Sequence, residues 1–429
     1  MLSLLLALGS VAEASSYQAA GAYAASVFSL AEASLLSYYR QDLYERYGIF
    51  ALQTEEETLE MLAERYCKTS FLKDGNSDRM GILLEQTEVI LAPFSLYRGE
   101  LLKRNMAECM KRKLPLEILD WAGFQEGLRQ LFGDAPEVES ETDENTEELY
   151  CNRTLRNQTV KELLPSSRWE ADRTGMDFKL PSNLDELIQN GKEEVLSTLY
   201  LLTYFNNHTT ELTERTTFFC NEVEYILAGN SSDEANLQAV KAYLVLLRTG
   251  LNSLHIAEDP LKLEAAFGLA AAISGPGAIW TQAAVVAAWA AAEAICDVER
   301  LLEGKKVPFW KTAEDWILSI EGLTKMLQEG LEVPEQEDRT ELQQERGMDY
   351  KAYLAMLLFL TGSEKKLTRA MDLMQLNLCG TSDKGFDFSR CYGGFRLTCS
   401  WRQNRHTLMP FGNRKRTYEQ TVYYFPKTN

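Results

Sequence analysis

Histidine is nearly absent. His208, His255 and His406 are the only three in 429 residues, too few for a His-rich metal centre or a histidine cluster that senses pH. Basic residues are also in deficit: 44 Lys and Arg stand against 63 Asp and Glu, a formal net charge of −19. That balance excludes nucleic acid and an anionic membrane surface as the main electrostatic partner. The eight cysteines (67, 109, 151, 220, 296, 379, 391 and 399) include no C-x-x-C pair, so no zinc ribbon is encoded, and they are too sparse for a disulfide scaffold. Most read as small buried hydrophobes. Cys391 and Cys399 form the one suggestive pair, and bridging them across a hairpin needs a turn centred near Phe395. Neither a Gly-rich phosphate loop nor H-E-x-x-H occurs. The nearest approach to a nucleophile elbow, Gly380 to Gly385 (GTSDKG), carries Lys384 where the second glycine belongs, and reads as a helix C-terminal turn. No catalytic, cofactor-binding or metal-ligating residue is nominated, and no cofactor is implied.

What is present is ordinary globular material, 45% apolar and 25% charged, long enough for two or three domains. Met1 to Ala12 (MLSLLLALGSVA) is the most apolar opening stretch, shorter than the ~20 residues that span hydrocarbon and without a basic flank. From Tyr17 to Tyr47 apolar residues recur at helical spacing along Val27, Leu30, Ala31, Leu35, Tyr39, Leu43 and Tyr47, until Gly48 ends the pattern. The spacing predicts one helix from the first residues to Tyr47, roughly 70 Å long at 1.5 Å per residue, with a lipid-compatible tip. A signal-peptide remnant followed by an ordinary core helix is the alternative.

Further along, Ile49 to Leu52 and Glu85 to Leu96 read as strands, with Pro93 holding the second to an edge or an end. Glu55 to Cys67 and Leu101 to Lys113 read as helices. Lys103, Arg104, Lys111, Arg112 and Lys113 make a basic patch on the latter, simplest as a solvated face. Asp134 to Glu148 is an acidic linker, and 332 to 346 a second polar one. Asn152, Asn157, Asn207 and Asn230 begin glycosylation sequons.

From Phe218 to Leu378 the pattern is helical nearly throughout. Asp233 to Leu251 shows Ala235, Leu237, Val240, Leu244 and Leu247 near one face, with Asn252 to Pro260 as a link. Leu261 to Arg300 is Ala-rich and broken at Ser274 to Gly277, which predicts a close-packed antiparallel helix hairpin around positions such as Ala288. Lys305 and Lys306 sit on a turn, Thr312 with Asp315 resembles a capping box, and Ser363 is placed to cap the last helix of the region. Phe386 to Trp401 and Tyr418 to Phe425 are rich in aromatic and β-branched residues and read as a hairpin or two edge strands. Their expected partners are Ile49 to Leu52 and Glu85 to Leu91. Six basic residues from Arg402 onward (402, 405, 414, 415, 416, 427) face only Glu419.

The expected class is therefore α+β, predominantly α: a long N-terminal helix, a central helical bundle, and a small antiparallel sheet including C-terminal strands. Boundaries fall at 1–66, 67–215, 216–378 and 379–429.

The opening pattern ending in LYERYGIFAL resembles an uncharacterised family of Gram-positive extracytoplasmic proteins related to the TadE and TadG minor pilins of tight-adherence pili. Stretches EYILAGNSSDEANLQAVKAYLVLLRTGLN from Glu224, DVERLLEGKKVPFWKTAEDW from Asp297 and YKAYLAMLLFLTGSEKKLTRAMDLMQLNL from Tyr350 are similar to the same family. The resemblance implies an extracytoplasmic protein attached to the cell membrane by its N-terminus, with protein partners in a pilus or envelope assembly and no nucleic acid. Proteins of that kind begin with a complete transmembrane helix, so the start at Met1 implies a shortened anchor. Two functional expectations follow. One is a non-enzymatic envelope subunit; the other is a secreted cell-wall or glycan hydrolase, which requires two carboxylates ~5 to 9.5 Å apart in a cleft.

Overall fold

The computed structural model describes residues 2–72, 80–113, 155, 158–168, 184–210, 217–329, 347–403 and 415–424. The acidic and polar linkers, Asn152, Asn157, His406 and the basic positions 405, 414 and 427 lie outside these residues. Among the described residues the chain is predominantly helical with one three-stranded antiparallel sheet, the class expected from its patterning. Its contacts divide it into two units, Met1–Cys109 with Ser382–Asn429, and Met110–Thr381; these cuts differ from the sequence boundaries at 66, 215 and 378.

Unit 1 holds helices α1 (Leu2–Leu36), α2 (Gln41–Tyr47), α3 (Glu56–Phe71) and most of α4 (Glu100–Lys113). Its sheet is formed by β1 (Ile82–Ile90), β2 (Gly394–Gln403) and β3 (Arg416–Tyr423) in the order β1-β2-β3. Val89 pairs with Leu397, and Cys399 pairs with Tyr418. The core follows two periodicities. On α3, Leu59, Ala63, Cys67 and Phe71 are buried at four-residue spacing, and on β2 Phe395, Leu397, Cys399 and Trp401 are buried at two-residue spacing. Ala20, Ala24, Val27, Phe28, Ala31 and Leu35 of α1 complete the cluster. Gly394 is required where it stands, because a Cβ there would collide with the carbonyl of Val422 across the β2–β3 pair.

The single rod to Tyr47 is not formed: α1 stops at Leu36. Ser37 N and Tyr38 N bond back to Ser34 and Leu35 (3.2 and 3.1 Å), and Arg40 N turns to the carbonyl of Ala51 at 2.8 Å. A long-range aromatic cluster favours the break. Tyr39 and Tyr44 pack on Phe50 at 5.1 and 4.2 Å between centroids, and Phe50 stacks on Tyr424 at 5.3 Å. α2 then closes at Gly48, whose φ of 65° is left-handed. Ile49 to Leu52 contributes isolated bridges to Tyr39 and Tyr392 and no strand. The two C-terminal segments do pair with each other, antiparallel, as one of their two readings has it, but they are not two edges: β2 is central, and β1 and β3 are the edges. Cys391 lies before β2, so no hairpin turn sets it opposite Cys399; its Sγ approaches the carbonyl of Asp387 at 3.9 Å.

Unit 2 is helical: α5 (Gln158–Leu163), α6 (Leu184–Tyr204), α7 (Glu222–Ala228), α8 (Asp233–Glu258), α9 (Pro260–Ser274), α10 (Ala278–Leu302), α11 (Ile320–Glu329), α12 (Tyr350–Leu360) and α13 (Ser363–Thr381). The expected hairpin is α9–α10, turned by Gly275-Pro276-Gly277. Asp259 caps α9, accepting from Leu261 N and Lys262 N at 3.0 and 3.3 Å, with Pro260 at the first helical position. α8 runs on to Glu258, through the stretch read as a link. Ala288 is half-buried, whereas Ala290 and Ala294 are fully buried. Thr312 and Asp315 do form a capping box, around a single 3-10 turn. Ser363 donates instead to Glu194 Oε2 at 2.7 Å.

Candidate functional site

Charged side chains of unit 2 converge first at the base of the α9–α10 hairpin. Along α8 the buried stripe is Val240, Leu244, Arg248, Asn252 and Ile256, so the i, i+4 face carries Arg248 and not Leu247. On α10, Glu293 and Asp297 stand one turn apart and are wholly buried. Arg248 Nε and Nη2 donate to Asp297 Oδ2 at 3.0 and 2.9 Å, and its Nη1 donates to the carbonyls of Pro308 and Phe309, both at 2.9 Å. Lys311 Nζ lies 2.6 Å from Asp297 Oδ1 and also pairs with Glu293. Glu293 further accepts from Ile317 N and Leu318 N at 2.9 and 2.7 Å. Two cations meet two anions in a site closed to solvent, each anion held by hydrogen bonds. Buried charge is tolerated only on those terms, and the arrangement is a clamp between α8, α10 and the 307–318 loop.

The EYILAGNSSDEAN stretch builds a second network. Glu222 accepts from Asn206 N (2.9 Å) and Asn377 Nδ2 (2.6 Å). Glu224 Oε1 accepts from His208 N (2.9 Å) and the Tyr350 hydroxyl (2.8 Å). Asp233 accepts from Cys220 N and Asn221 N at 2.8 and 2.9 Å. These carboxylates take up the backbone donors of Asn206, His208, Cys220 and Asn221, none of which lies in a helix or strand that would satisfy them. Glu224 is fully buried with Oε2 unpartnered among the described residues, and burial pushes its carboxyl up to about 7. Asp372, which accepts from Ser166 N and the Tyr225 hydroxyl at 2.9 Å each, is pushed up to about 6 by the same cause.

Ser382 of GTSDKG donates to Asp42 at 3.1 Å, in a turn where Arg40 pairs with Asp42 and, at 3.1 Å, with Asp383. The turn follows α13 directly, as its sequence indicates. Burial depresses the imidazoles of His208 and His255; His255 stacks on Trp316 at 5.2 Å. Asn207 is buried and accepts from Thr209, unavailable to a glycosyltransferase in the folded chain. Of the basic patches, Arg402 pairs with Glu85 at 3.2 Å and Arg104 covers the Tyr423 ring at 5.9 Å. A cavity of about 470 Å³ lies between α1 and β3, lined by Gln18, Gly21, Ala22, Ala25, Trp401, Arg416, Thr417 and Tyr418. Its one charged group is Arg416, whose guanidinium stacks 3.6 Å from the Tyr17 ring centre. No carboxylate lines it, so the pair a glycosidase needs is not found there.

Each unit also presents bare apolar surface. In unit 1, α1 is buried only from Ala20 onward, and Leu4, Leu6, Leu8 and Val11 are 65, 52, 59 and 67% exposed. In unit 2, the turn end of the hairpin shows Phe267, Ile273, Ile279 and Trp280, the last 88% exposed. Between Ala265 and Ala292 the sequence has no Asp, Glu, Lys or Arg. Two helical segments are apolar and long enough to cross a membrane by length and composition, Leu6–Leu36 and Pro260–Leu302. The second is folded back on itself at Gly275, and its lower half is held by the charge clamp. Arg248, Glu293, Asp297 and Lys311 were missed as a group from sequence. The signal was there in Glu293 and Asp297 at i, i+4 on an otherwise alanine helix.

These features define a mostly helical α+β protein with buried charge networks in one unit and exposed apolar patches in each. The chain belongs to a family of unknown function, DUF5702, whose profile matches residues 137–403. No curated protein matches it, and no solved structure does.

Proposed function

We propose that this protein is a non-enzymatic subunit of a cell-envelope assembly, held at a membrane by α1. The observation that carries the reading is the exposed, largely apolar stretch of α1 before its first buried residue, Ala20, in which Glu13 is the one charged side chain. From Leu2 to Tyr17 the helix extends about 24 Å at 1.5 Å per residue, most of the ~30 Å hydrocarbon thickness, while residues 20 to 35 are fixed in the core of unit 1. Leucine faces are stable in lipid and costly in water, at about 25 cal/mol per Å². The hairpin end of unit 2 adds a second such surface. Ala278 to Ala288 rises about 16 Å, the depth of a helix tip that enters one leaflet and no further, and Trp280 is the residue type that favours the interface.

Membership of a tight-adherence pilus assembly is the finer form of this proposal. It rests on the resemblance of the opening stretch, and of the stretches from Glu224, Asp297 and Tyr350, to an uncharacterised extracytoplasmic family related to the TadE and TadG minor pilins. Flotation with phosphatidylcholine vesicles tests the membrane reading: the chain is expected to float in 1 M NaCl, and Leu4→Asp with Leu8→Asp to remain at the bottom. Failure of the unaltered chain to float refutes it. For the pilus, electron microscopy of surface filaments in a strain lacking the gene is the measurement, and unaltered filaments remove that assignment.

A further inference from the structure

Cys67 and Cys399 stand 332 positions apart in sequence, yet their thiols lie within hydrogen-bonding reach of each other inside the core of unit 1. Cys67 sits on the inward face of α3, between Ala63 and Phe71, and Cys399 on the inward face of β2, between Leu397 and Trp401. Both are wholly buried. The pair is unlike the other buried thiols: burial first, with neighbouring carboxylates adding to it, pushes Cys296 and Cys391 up, whereas the Cys67 thiol is lowered because the Cys399 thiol donates to it.

We infer that Cys67 and Cys399 are a disulfide-forming pair, closed by exchange with a low-molecular-weight or enzyme disulfide as the chain folds. The Cys67 thiolate attacks one sulfur of the oxidant RS–SR and expels RS⁻, giving a mixed disulfide. Cys399 then attacks the Cys67 sulfur, forming the intramolecular S–S bond and expelling the second RS⁻. The two thiol protons end on the two RS⁻ groups, so the protein loses two hydrogens and the oxidant is reduced to two RSH. Because both sulfurs are sealed in the folded state, exchange belongs to the folding chain and not to the finished protein.

The consequence is topological. All of unit 2, Met110–Thr381, lies between the two cysteines, so the bond staples the N-terminal helices to the C-terminal strands whatever the intervening unit does. It does not depend on the membrane reading: a chain that fails to float can still close this bond, and the reverse.

The test uses the full chain, refolded from denaturant with oxidised and reduced glutathione, acid-quenched, denatured, alkylated and digested with trypsin. Residues 66–68 (YCK) are expected to be recovered linked to residues 397–402 (LTCSWR), with residues 391–396 (CYGGFR) alkylated, and the intact mass lowered by two hydrogens. Cys67→Ser and Cys399→Ser should each abolish the linked peptide and leave the remaining cysteine of the pair alkylated. Recovery of both peptides fully alkylated from folded protein, or of Cys399 linked to Cys391, overturns the inference. Should refolding fail, the chain secreted from cells and alkylated directly in denaturant gives the same two outcomes.

Discussion

Replacing Arg248 with Met removes one of four charges that solvent does not reach, and the structure sets the size of the effect. The guanidinium is 0% exposed and donates to Asp297, Asn252, the Tyr353 hydroxyl and the carbonyls of Pro308 and Phe309. Met fills much of the same volume, so the loss is electrostatic rather than a cavity. It leaves Asp297 and Glu293 sharing Lys311 alone, one uncompensated buried negative charge, and strips two loop carbonyls of their donor. Breaking a buried pair from one side costs roughly 3 to 5 kcal/mol. At about 2 °C per kcal/mol for a unit of this size, the transition of unit 2 should fall by roughly 6 to 10 °C. Differential scanning calorimetry of the full chain, with near-ultraviolet circular dichroism of Trp289 and Trp316, reads it: both indoles donate to the Leu318 carbonyl at 2.8 Å, beside the clamp. The decisive arm is Arg248→Met with Asp297→Leu. Lys311 and Glu293 then remain as a neutral pair, so the double variant should recover most of the loss. A single variant within 2 °C of the parent, or a double variant that costs the sum of both singles, refutes the view that these four groups act as one.

Three further outcomes are expected. Glu224 holds its proton up to about pH 7 in the folded state, against an ordinary value of 4.5; its stabilising contribution is complete below pH 4.5 and is lost as pH rises through 7. Asp372, at about 6, acts in the same direction. Stability of unit 2 should therefore decline by a few kcal/mol between pH 5 and pH 8, and Glu224→Gln should flatten that slope in urea melts; an unchanged slope counts against the burial argument. Ala290→Leu, at a fully buried position whose carbonyl faces Asn252 across the α8–α10 contact, should cost about 1 to 3 kcal/mol, whereas Ala288→Leu, half-exposed, should cost less than 1; equal thermal shifts would mean the hairpin is not packed as described. Ile279→Ser in the hairpin turn should weaken vesicle binding in the Leu4→Asp/Leu8→Asp background roughly thirty-fold, about 2 kcal/mol of lost burial, without changing the melting temperature; no change in binding removes the second lipid contact.

Local patterning carried most of the helices and the class, because a 3.6-residue apolar repeat needs only near neighbours to be read. The α9–α10 hairpin is the clearest case, with its break at Gly275 and Gly277 written in the residues themselves. Long-range events were not legible. The end of α1 at Leu36 depends on Tyr39 finding Phe50, and Phe50 finding Tyr424 at the far end of the chain. Likewise, the strand pairing was read as far as Glu85–Leu91 joining the C-terminal segments, but Ile49–Leu52 lost its place because β2 already has a partner on each side. Cys399 was weighed against Cys391, eight residues away, when its neighbour is Cys67; sequence spacing favours short loops, and a sheet with an inserted helical unit does not respect spacing.

The charge clamp bears on how the apolar hairpin is presented. A helix pair free of charge from Ala265 to Ala292 gains by folding flat onto any greasy surface of its own protein, so keeping Trp280 and Ile279 in the open requires something that fixes the hairpin's base. Nonpolar packing is a poor choice for that purpose, since it is tolerant of sliding by a residue or a turn. Arg248, Asp297, Lys311 and Glu293 admit one register: shifting α10 by a single residue would swing both carboxylates out of reach of their cations and leave buried charge unpaired. That penalty, about 3 to 5 kcal/mol, exceeds what burying one exposed side chain would return, about 1.5 to 3 kcal/mol. The clamp thus acts as a registry device for an exposed apolar arm. The single-sided Arg248→Met variant should accordingly increase protease cleavage near Lys262 and Arg300, at the hairpin base, before it affects the Ile279 turn.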